Sequence, residues 1–397
     1  MHDGSRLSTP DGSWLSTLDG EAADRQAAGL RRELRPRGTG DDVIDLAGND
    51  YLGLSRHPDV LAAAARALAD YGLGATGSRL VRGSTDAHHA LEEGLARLLG
   101  AQTALVYSSG YLANLGAIRA LVRPGTLVVS DAHNHASIVD GCRLACAGSA
   151  ARGARTVVAP HADPAAVRAL LAAEPDRPAV VVTESVFSVD GDLAPLAALY
   201  ATCGEHPGGA LLLVDDAHAL GVIGPGGAGG VAAAGLSGRP DVIVTATLSK
   251  SLGAAGGVVA GPHQLGRQLV DTGRTFIYDT ALPPAVAAGA LAALDLLSAG
   301  DDLRAELAGR VARAVARLRA EGLDVSDPDG GVISVGAPSP DEAFAWAAAC
   351  RGRGVAVGCF RPPSTPDGRS RLRLTVNVGV PPAAFEHALD IVVKERP

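Results

Sequence analysis

Six apolar runs rich in β-branched residues, set between segments of helical periodicity, limit this chain's choice of fold more than any other feature. They are Ala104–Tyr107, Leu127–Ser130, Thr156–Ala159, Ala179–Thr183, Leu211–Val214 and Val242–Thr245. Several are continuously apolar, as strands buried on both faces of a parallel sheet must be. Helix-like stretches lie between and beside them, among them Leu112–Leu121, Pro164–Ala173 and Pro195–Tyr200. Strand and helix in alternation predict an α/β domain wound on a large, mostly parallel sheet. From about Leu282 the pattern changes to long Ala/Leu/Arg helices, then short strands and another helix, with Pro283-Pro284 at the boundary. A chain of 397 residues also exceeds what one hydrophobic core usually serves. The expected division is a large domain over 47–284, a smaller α+β domain over 285–397, and a segment, 1–46, that joins the smaller one.

Composition removes several functional classes. A formal net charge of −8, with no basic run, speaks against nucleic acid as a partner. No uncharged apolar run approaches a membrane span. Met1 to Gly20 is polar and broken by glycine, without the basic start and apolar middle of a secretory signal. Five cysteines occur, and only Cys142 and Cys146 are close in sequence. That spacing is a poor zinc signal, so no metal is expected, and buried free thiols of a reducing cytoplasm are the simpler reading. The segment Gly72-Leu73-Gly74-Ala75-Thr76-Gly77 satisfies G-x-G-x-x-G to the letter. It follows an Ala-rich helical stretch, Val60–Tyr71, instead of a strand, which counts against a dinucleotide site.

Parallel sheets of this kind bind ligands at the carboxyl ends of their strands. Those ends carry Ser108-Ser109-Gly110, Asp131 to His135, Glu184-Ser185, Asp215 to His218, and Thr247-Leu248-Ser249-Lys250. Of 35 basic residues only Lys250 and Lys394 are lysines, and Lys394 lies in the last few residues. A lysine amine at a strand end, a carboxylate at a neighbouring one and an anion site are what pyridoxal phosphate requires. Asp215 projects from an apolar strand, although Asp216 is equally eligible as a helix cap. His218 stands three residues on, where a packed histidine is the commoner finding. The turn at Gly110-Tyr111 opens a helix, and free amides at such a turn attract phosphate. In Arg371-Leu372-Arg373-Leu374 both arginines point to one side of a strand, suited to a carboxylate or simply to solvent.

Taken together, these segments resemble the α-oxoamine synthases, a branch of the fold-type I pyridoxal-phosphate enzymes. The matching pieces are Asn49 to Leu54, Gly77 to Gly83, Ser109-Gly110-Tyr111, Asn134 to Ser137, Thr183 to Asp192, Val214 to His218, Thr247 to Lys250 and Arg371 to Thr375. Gly29-Leu30-Arg31-Arg32 and Cys359 to Pro363 are similar to the members that condense L-alanine with a pimeloyl thioester in biotin synthesis.

The resemblance implies pyridoxal 5′-phosphate held by Lys250, which also moves the Cα proton. It assigns Asp215 to the ring nitrogen, His218 and Ser188 to the cofactor, and His135 to stacking on the ring. Gly110, Tyr111 and Thr247 would hold the phosphate, and Thr280 would reach the phosphate of a neighbouring subunit, which makes a homodimer the expected unit. Asn49 and Arg373 match the grip on the amino acid carboxylate; Arg31 and Ser364 match positions facing the acyl group. The implied reaction joins L-alanine to pimeloyl-CoA, or to a pimeloyl carrier protein, with loss of CO2 and release of the thiol. A sister synthase using another amino acid or acyl group stays open, and a nucleotide-dependent oxidoreductase built on Gly72–Gly77 is the remaining alternative. Two departures stand out: Ala219 where the family commonly has glycine after Asp-x-Ala-His, and Ser364 where it commonly has threonine.

Overall fold

The computed structural model describes residues 14–147 and 152–397. Most of the reading of Met1 to Gly20, residues 1–13, therefore lies outside the described residues. The strands, in chain order, are β1 (Ile44–Leu46), β2 (Thr103–Tyr107), β3 (Leu127–Asp131), β4 (Arg155–Ala159), β5 (Ala179–Glu184), β6 (Ala210–Asp215), β7 (Val242–Thr247), β8 (Gly257–Gly261), β9 (Val332–Gly336), β10 (Val355–Phe360) and β11 (Arg371–Thr375). Seven of them form one sheet in the order β2-β8-β7-β6-β5-β3-β4. Within it β8 runs antiparallel to both neighbours, and the other pairings are parallel.

Each of the six expected strands is present, extended by one or two residues. Their continuous hydrophobicity has the anticipated cause. Along β5, Ala179 and Val181 pack into one core while Val180 and Val182 pack into a second core on the opposite face. Leu212 and Val214 of β6 likewise face away from Leu213. Helices on both faces close these cores, as alternating strand and helix require.

The strand β8 was not anticipated. Its run Gly257-Val258-Val259-Ala260-Gly261 is short and flanked by glycines, and it returns beside β7 directly after the Lys250 loop. Gly257 cannot be enlarged, because an added Cβ would stand 2.5 Å from the carbonyl oxygen of Ser109 and 2.6 Å from Gly110. The close approach presses β8 against the turn that opens the helix Gly110–Leu121.

A second sheet has the order β1-β10-β11-β9. Ile44–Leu46 pairs parallel to β10, so a strand from before residue 47 belongs to this smaller sheet, while β9, β10 and β11 pair antiparallel. Gly72–Gly77 follows a helix, Pro58–Tyr71, and leads into a single π-turn over Arg79–Gly83. It has neither the strand before nor the α-helix after that a dinucleotide loop needs. Among the described residues no helix is long and apolar enough to cross a membrane, and no group of side chains is arranged to hold a metal ion.

Candidate active site

The carboxyl ends of β2, β5, β6 and β7 surround a cavity of about 270 Å³. Of the residues singled out from sequence, Gly110, Tyr111, His135, Asp215, His218, Thr247 and Lys250 all line it. Ser109, Asn114, Ser137, Glu184, Ala217 and Ser249 complete the wall.

Lys250 follows β7 by three residues and presents the amine. Desolvation pushes its pKa down to about 8, against the opposing pull of Asp215 and Glu184. At neutral pH roughly a tenth of such an amine is unprotonated, far more than of an ordinary lysine, and only that form is a nucleophile. Asp215 ends β6 and is buried. Its Oδ1 accepts the Ala217 amide at 3.0 Å and its Oδ2 accepts Nδ2 of Asn114 at 2.7 Å. Asp216, its neighbour, points elsewhere: its carboxylate accepts the amides of Gly230 (3.0 Å) and Val231 (3.4 Å). The helix-cap role and the ligand-facing role thus fall to different aspartates.

His218 shares a 2.6 Å hydrogen bond with the Tyr51 hydroxyl through Nδ1. Burial above all, with the charges of Lys250 and Arg373, holds its pKa well below the usual value, so it is neutral. His135 is likewise lowered, first by burial. Glu184 is fully buried and pushed up to about 8, by desolvation and then by the charge of Asp215. Its two oxygens accept the amides of His135 (2.7 Å) and Ser188 (3.1 Å). Glu184, Asn114 and Tyr51 were given no role from sequence. Asn114 is one polar side chain on an otherwise apolar helix face, and only the packing of that helix on β7 and β8 brings it to Asp215.

The anion cradle is built from backbone. Ser109 caps the helix Gly110–Leu121, accepting the Leu112 amide, so the first amides of that helix remain free beside Thr247 and Ser249. A Cβ on Gly110 would come within 3.1 Å of Thr247 and fill the gap. Free amides and hydroxyls at a helix N-terminus suit a phosphate.

Arg371 and Arg373 lie on β11, which is buried throughout, so a solvated strand face is excluded. They differ in their partners. Arg371 is neutralised by Asp190 and Asp367. Arg373 meets only neutral groups, the Ser188 carbonyl at 2.9 Å and Asn49 Oδ1 at 2.6 Å, and its Nε is buried without a partner. Its guanidinium also lies over the Phe360 ring, 4.7 Å from the centroid. A buried cation held by neutral groups is open to an anionic ligand; one already paired twice is not.

Six residues singled out from sequence do not line the Lys250 cavity: Asn49, Ser188 and Arg373, which are hydrogen-bonded to one another, and Thr280, Arg31 and Ser364. Thr280 is exposed and bridges to Ser78. Arg31 and Ser364 line a separate cavity of about 390 Å³ with Arg32, Arg35, Arg351 and Arg361. There Arg32, not Arg31, donates to the Ser364 hydroxyl, at 2.9 Å. Ala219 is fully buried and donates its amide to the Asp216 carbonyl, and it does not line the Lys250 cavity. Its extra methyl therefore leaves that cavity unchanged.

The partner difference between the two arginines carries an expectation. A charge-assisted hydrogen bond is worth about 1.5–3 kcal/mol, so Arg373→Leu should weaken alanine binding roughly ten- to hundredfold. The readout is a titration of the bound cofactor's absorbance with alanine, without acyl donor. Arg371→Leu should leave that titration nearly unchanged and instead lower Tm, because it strands two carboxylates. An exchange of these two phenotypes would move the carboxylate site to Arg371.

Comparison with known proteins agrees with this geometry. The family model of class I and II aminotransferases matches residues 41–392. An 8-amino-7-oxononanoate synthase of Mycolicibacterium vanbaalenii is 53% identical over 367 residues, covering 92% of this chain and 93% of the relative. The enzyme of the same name from Mycolicibacterium smegmatis is 52% identical, over 93% and 92%. Among solved structures, a serine palmitoyltransferase of S. paucimobilis superposes with a TM-score of 0.88 at 32% identity, covering 96% of this chain and 98% of that one. An 8-amino-7-oxononanoate synthase of Francisella tularensis gives 0.74 at 27% identity, over 89% and 98%. A lysine and a carboxylate that share one strand edge, on a chain matched over nearly its whole length, lead to one conclusion: this chain belongs to the class I and II aminotransferase family, within its 8-amino-7-oxononanoate synthase branch.

Proposed function

We infer that the chain is an acyltransferase that condenses L-alanine with a pimeloyl thioester, giving 8-amino-7-oxononanoate, CO2 and the free thiol, in biotin synthesis. The single observation that carries the reading is the pairing of half-buried Lys250 with buried Asp215 beside the Gly110–Thr247 cradle, on a chain about half identical to synthases of that name. The residues fit pyridoxal phosphate: the cradle has free amides where a Cβ would intrude, and Asp215 keeps lone pairs beyond its two amide partners. When bound, the cofactor takes up the electron pair left on Cα after deprotonation.

The protein's own groups then divide the work. Lys250 Nζ would hold the cofactor and would accept the Cα proton, a task suited to an amine pushed down to about 8. Asp215 would keep a proton on the ring nitrogen, His218 and Ser188 would contact the cofactor, and His135 would cover the ring. Arg373 and Asn49 take the alanine carboxylate. Arg31 and Ser364 face the acyl chain from the neighbouring cavity.

We also propose a homodimer as the active unit. Thr280 is exposed and bridges to Ser78, and Leu73, Val81 and Tyr278, close in sequence to the two ends of that bridge, are large apolar side chains left in solvent. A second copy covering that face would bring the partner's phosphate to Thr280. The domain division at 46/47 and 284/285 is retained in this reading. All five cysteines are free, which supports the cytoplasm as the compartment.

A sister synthase using serine and a long acyl chain is the second reading. The high structural similarity to serine palmitoyltransferase favours it, and the much higher identity to the alanine-dependent branch outweighs it. Pairing alanine, glycine and serine with short, long and dicarboxylic acyl-CoAs tests the choice. The highest kcat/KM is expected for alanine with pimeloyl-CoA. A preference for serine or glycine, or for a monocarboxylic long chain, would overturn the substrate assignment.

A further inference from the structure

One buried amide touches both halves of the ring site. Asn114 lies on the helix Gly110–Leu121, almost wholly buried, and its three polar contacts are all to side chains. Nδ2 lies 2.7 Å from Asp215 Oδ2 and 2.9 Å from Ser137 Oγ, and Oδ1 lies 2.6 Å from Thr245 Oγ1. A carboxylate accepts only, so the NH2 end must face Asp215 and the carbonyl end must face Thr245. The Thr245 hydroxyl therefore donates. The second amide proton goes to Ser137, which leaves the Ser137 hydroxyl proton for its other neighbour, His135 Nδ1, at 2.8 Å. The backbone amide of Ser137 points at the same nitrogen, at 3.2 Å. Two donors thus converge on Nδ1, which can only be the bare nitrogen, and the neutral imidazole carries its proton on Nε2.

We propose that Asn114 is a positioning residue that holds the Asp215 carboxylate and, through Ser137, fixes His135 in the Nε2–H form. One side chain thereby orders the groups assigned to the ring nitrogen and to the ring face. The chain Thr245 to Asn114 to Ser137 to His135 has one consistent direction, and every member has a partner. The inference rests on the cofactor reading given above but not on the identity of the amino acid or acyl donor.

The test uses the cofactor-loaded enzyme with 15N-labelled histidine imidazoles, read by solid-state NMR without substrate, the His135 signals being assigned from His135→Asn. In the unaltered protein Nδ1 of His135 should resonate as a bare nitrogen and Nε2 as a protonated one. Asn114→Asp keeps the shape but sets a second carboxyl against Asp215, so that pair shares a proton and the Ser137 hydroxyl is drawn to the new oxygen; with only the Ser137 amide left on Nδ1, part of the His135 population should shift to the Nδ1–H form. Ser137→Ala should give a mixture of the two forms with Asp215 still held, and Ser137→Thr, which keeps the hydroxyl, should restore the original signals. Partners that orient catalytic or metal-bound histidines typically matter roughly 10- to 100-fold. The expected loss in kcat is of that order for Asn114→Asp and smaller for Ser137→Ala, with the KM for alanine little changed in both. Should Asn114→Asp fail to fold or to load cofactor, the Ser137 pair still decides. A proton on Nδ1 in the unaltered protein, or unchanged signals and kcat in Ser137→Ala, would overturn the proposal. A different preferred acyl donor would alter the substrate assignment and leave these spectra as they are.

Discussion

Asp215→Asn should lower turnover by several orders of magnitude while Asp216→Asn costs far less. The two carboxylates are adjacent in sequence, and the fold sends them to different tasks. Asp215 stands at the end of β6, in the wall of the Lys250 cavity, held at both oxygens by Asn114 and the Ala217 amide. In the proposed role its negative charge would stabilise a proton on the cofactor's ring nitrogen, and the electron sink would depend on that charge. An amide at this position cannot supply it, and the donor from Asn114 would then face a second amide. Asp216 instead ties the Gly229–Val231 turn, accepting amides from Gly230 and Val231. Each of its two oxygens accepts a backbone amide, and asparagine keeps one of those two acceptors. The expected cost of Asp216→Asn is stability, about 1–3 kcal/mol for an unsatisfied buried group, read as a lower Tm. Rates of Cα hydrogen exchange in deuterated solvent, measured with alanine alone, separate the two variants. Equal losses of exchange in both would mean that the wrong carboxylate has been assigned.

Lys250→Ala should abolish turnover without unfolding the protein. Lys250 emerges from the Thr247–Lys250 turn into a cavity, and its amine makes no structural hydrogen bond comparable to those of Asp216 or Arg371. Truncation removes the cost of desolvating a cation together with its attraction to Asp215 and Glu184, two effects of opposite sign, so Tm should change little. The cofactor should bind only reversibly, through the cradle and Asp215, and wash out on gel filtration. In the unaltered protein, capture of added pyridoxal phosphate by the cofactor-free form should accelerate as pH rises through about 8, because only the unprotonated amine reacts.

How much of this was legible beforehand depended on whether a residue's partner lies along the chain or across it. The six buried strands could be read because both-face burial writes itself into consecutive residues. β8 could not, since its five residues are as compatible with a glycine-rich loop as with a returning antiparallel strand. Lys250 was conspicuous through the scarcity of lysine, and Asp215 through its place at a strand end. Choosing between Arg371 and Arg373 required long-range contacts: Asp190 and Asp367 neutralise the first, while Ser188 and Asn49 leave the second charged. Asn114 was silent for the same reason, its partners lying 23, 101 and 131 residues away. Alternation along a strand or periodicity along a helix reports which face a residue occupies and says nothing of what that face meets.

The central claim is that Lys250 is the residue that carries the cofactor, and the chain's composition makes this unusually direct to measure. Borohydride reduction of the loaded enzyme, followed by proteolysis and mass mapping, should place the pyridoxyl group on the peptide containing Lys250, with none on Lys394. Label on Lys394, or no covalent label on a catalytically active preparation, would contradict it.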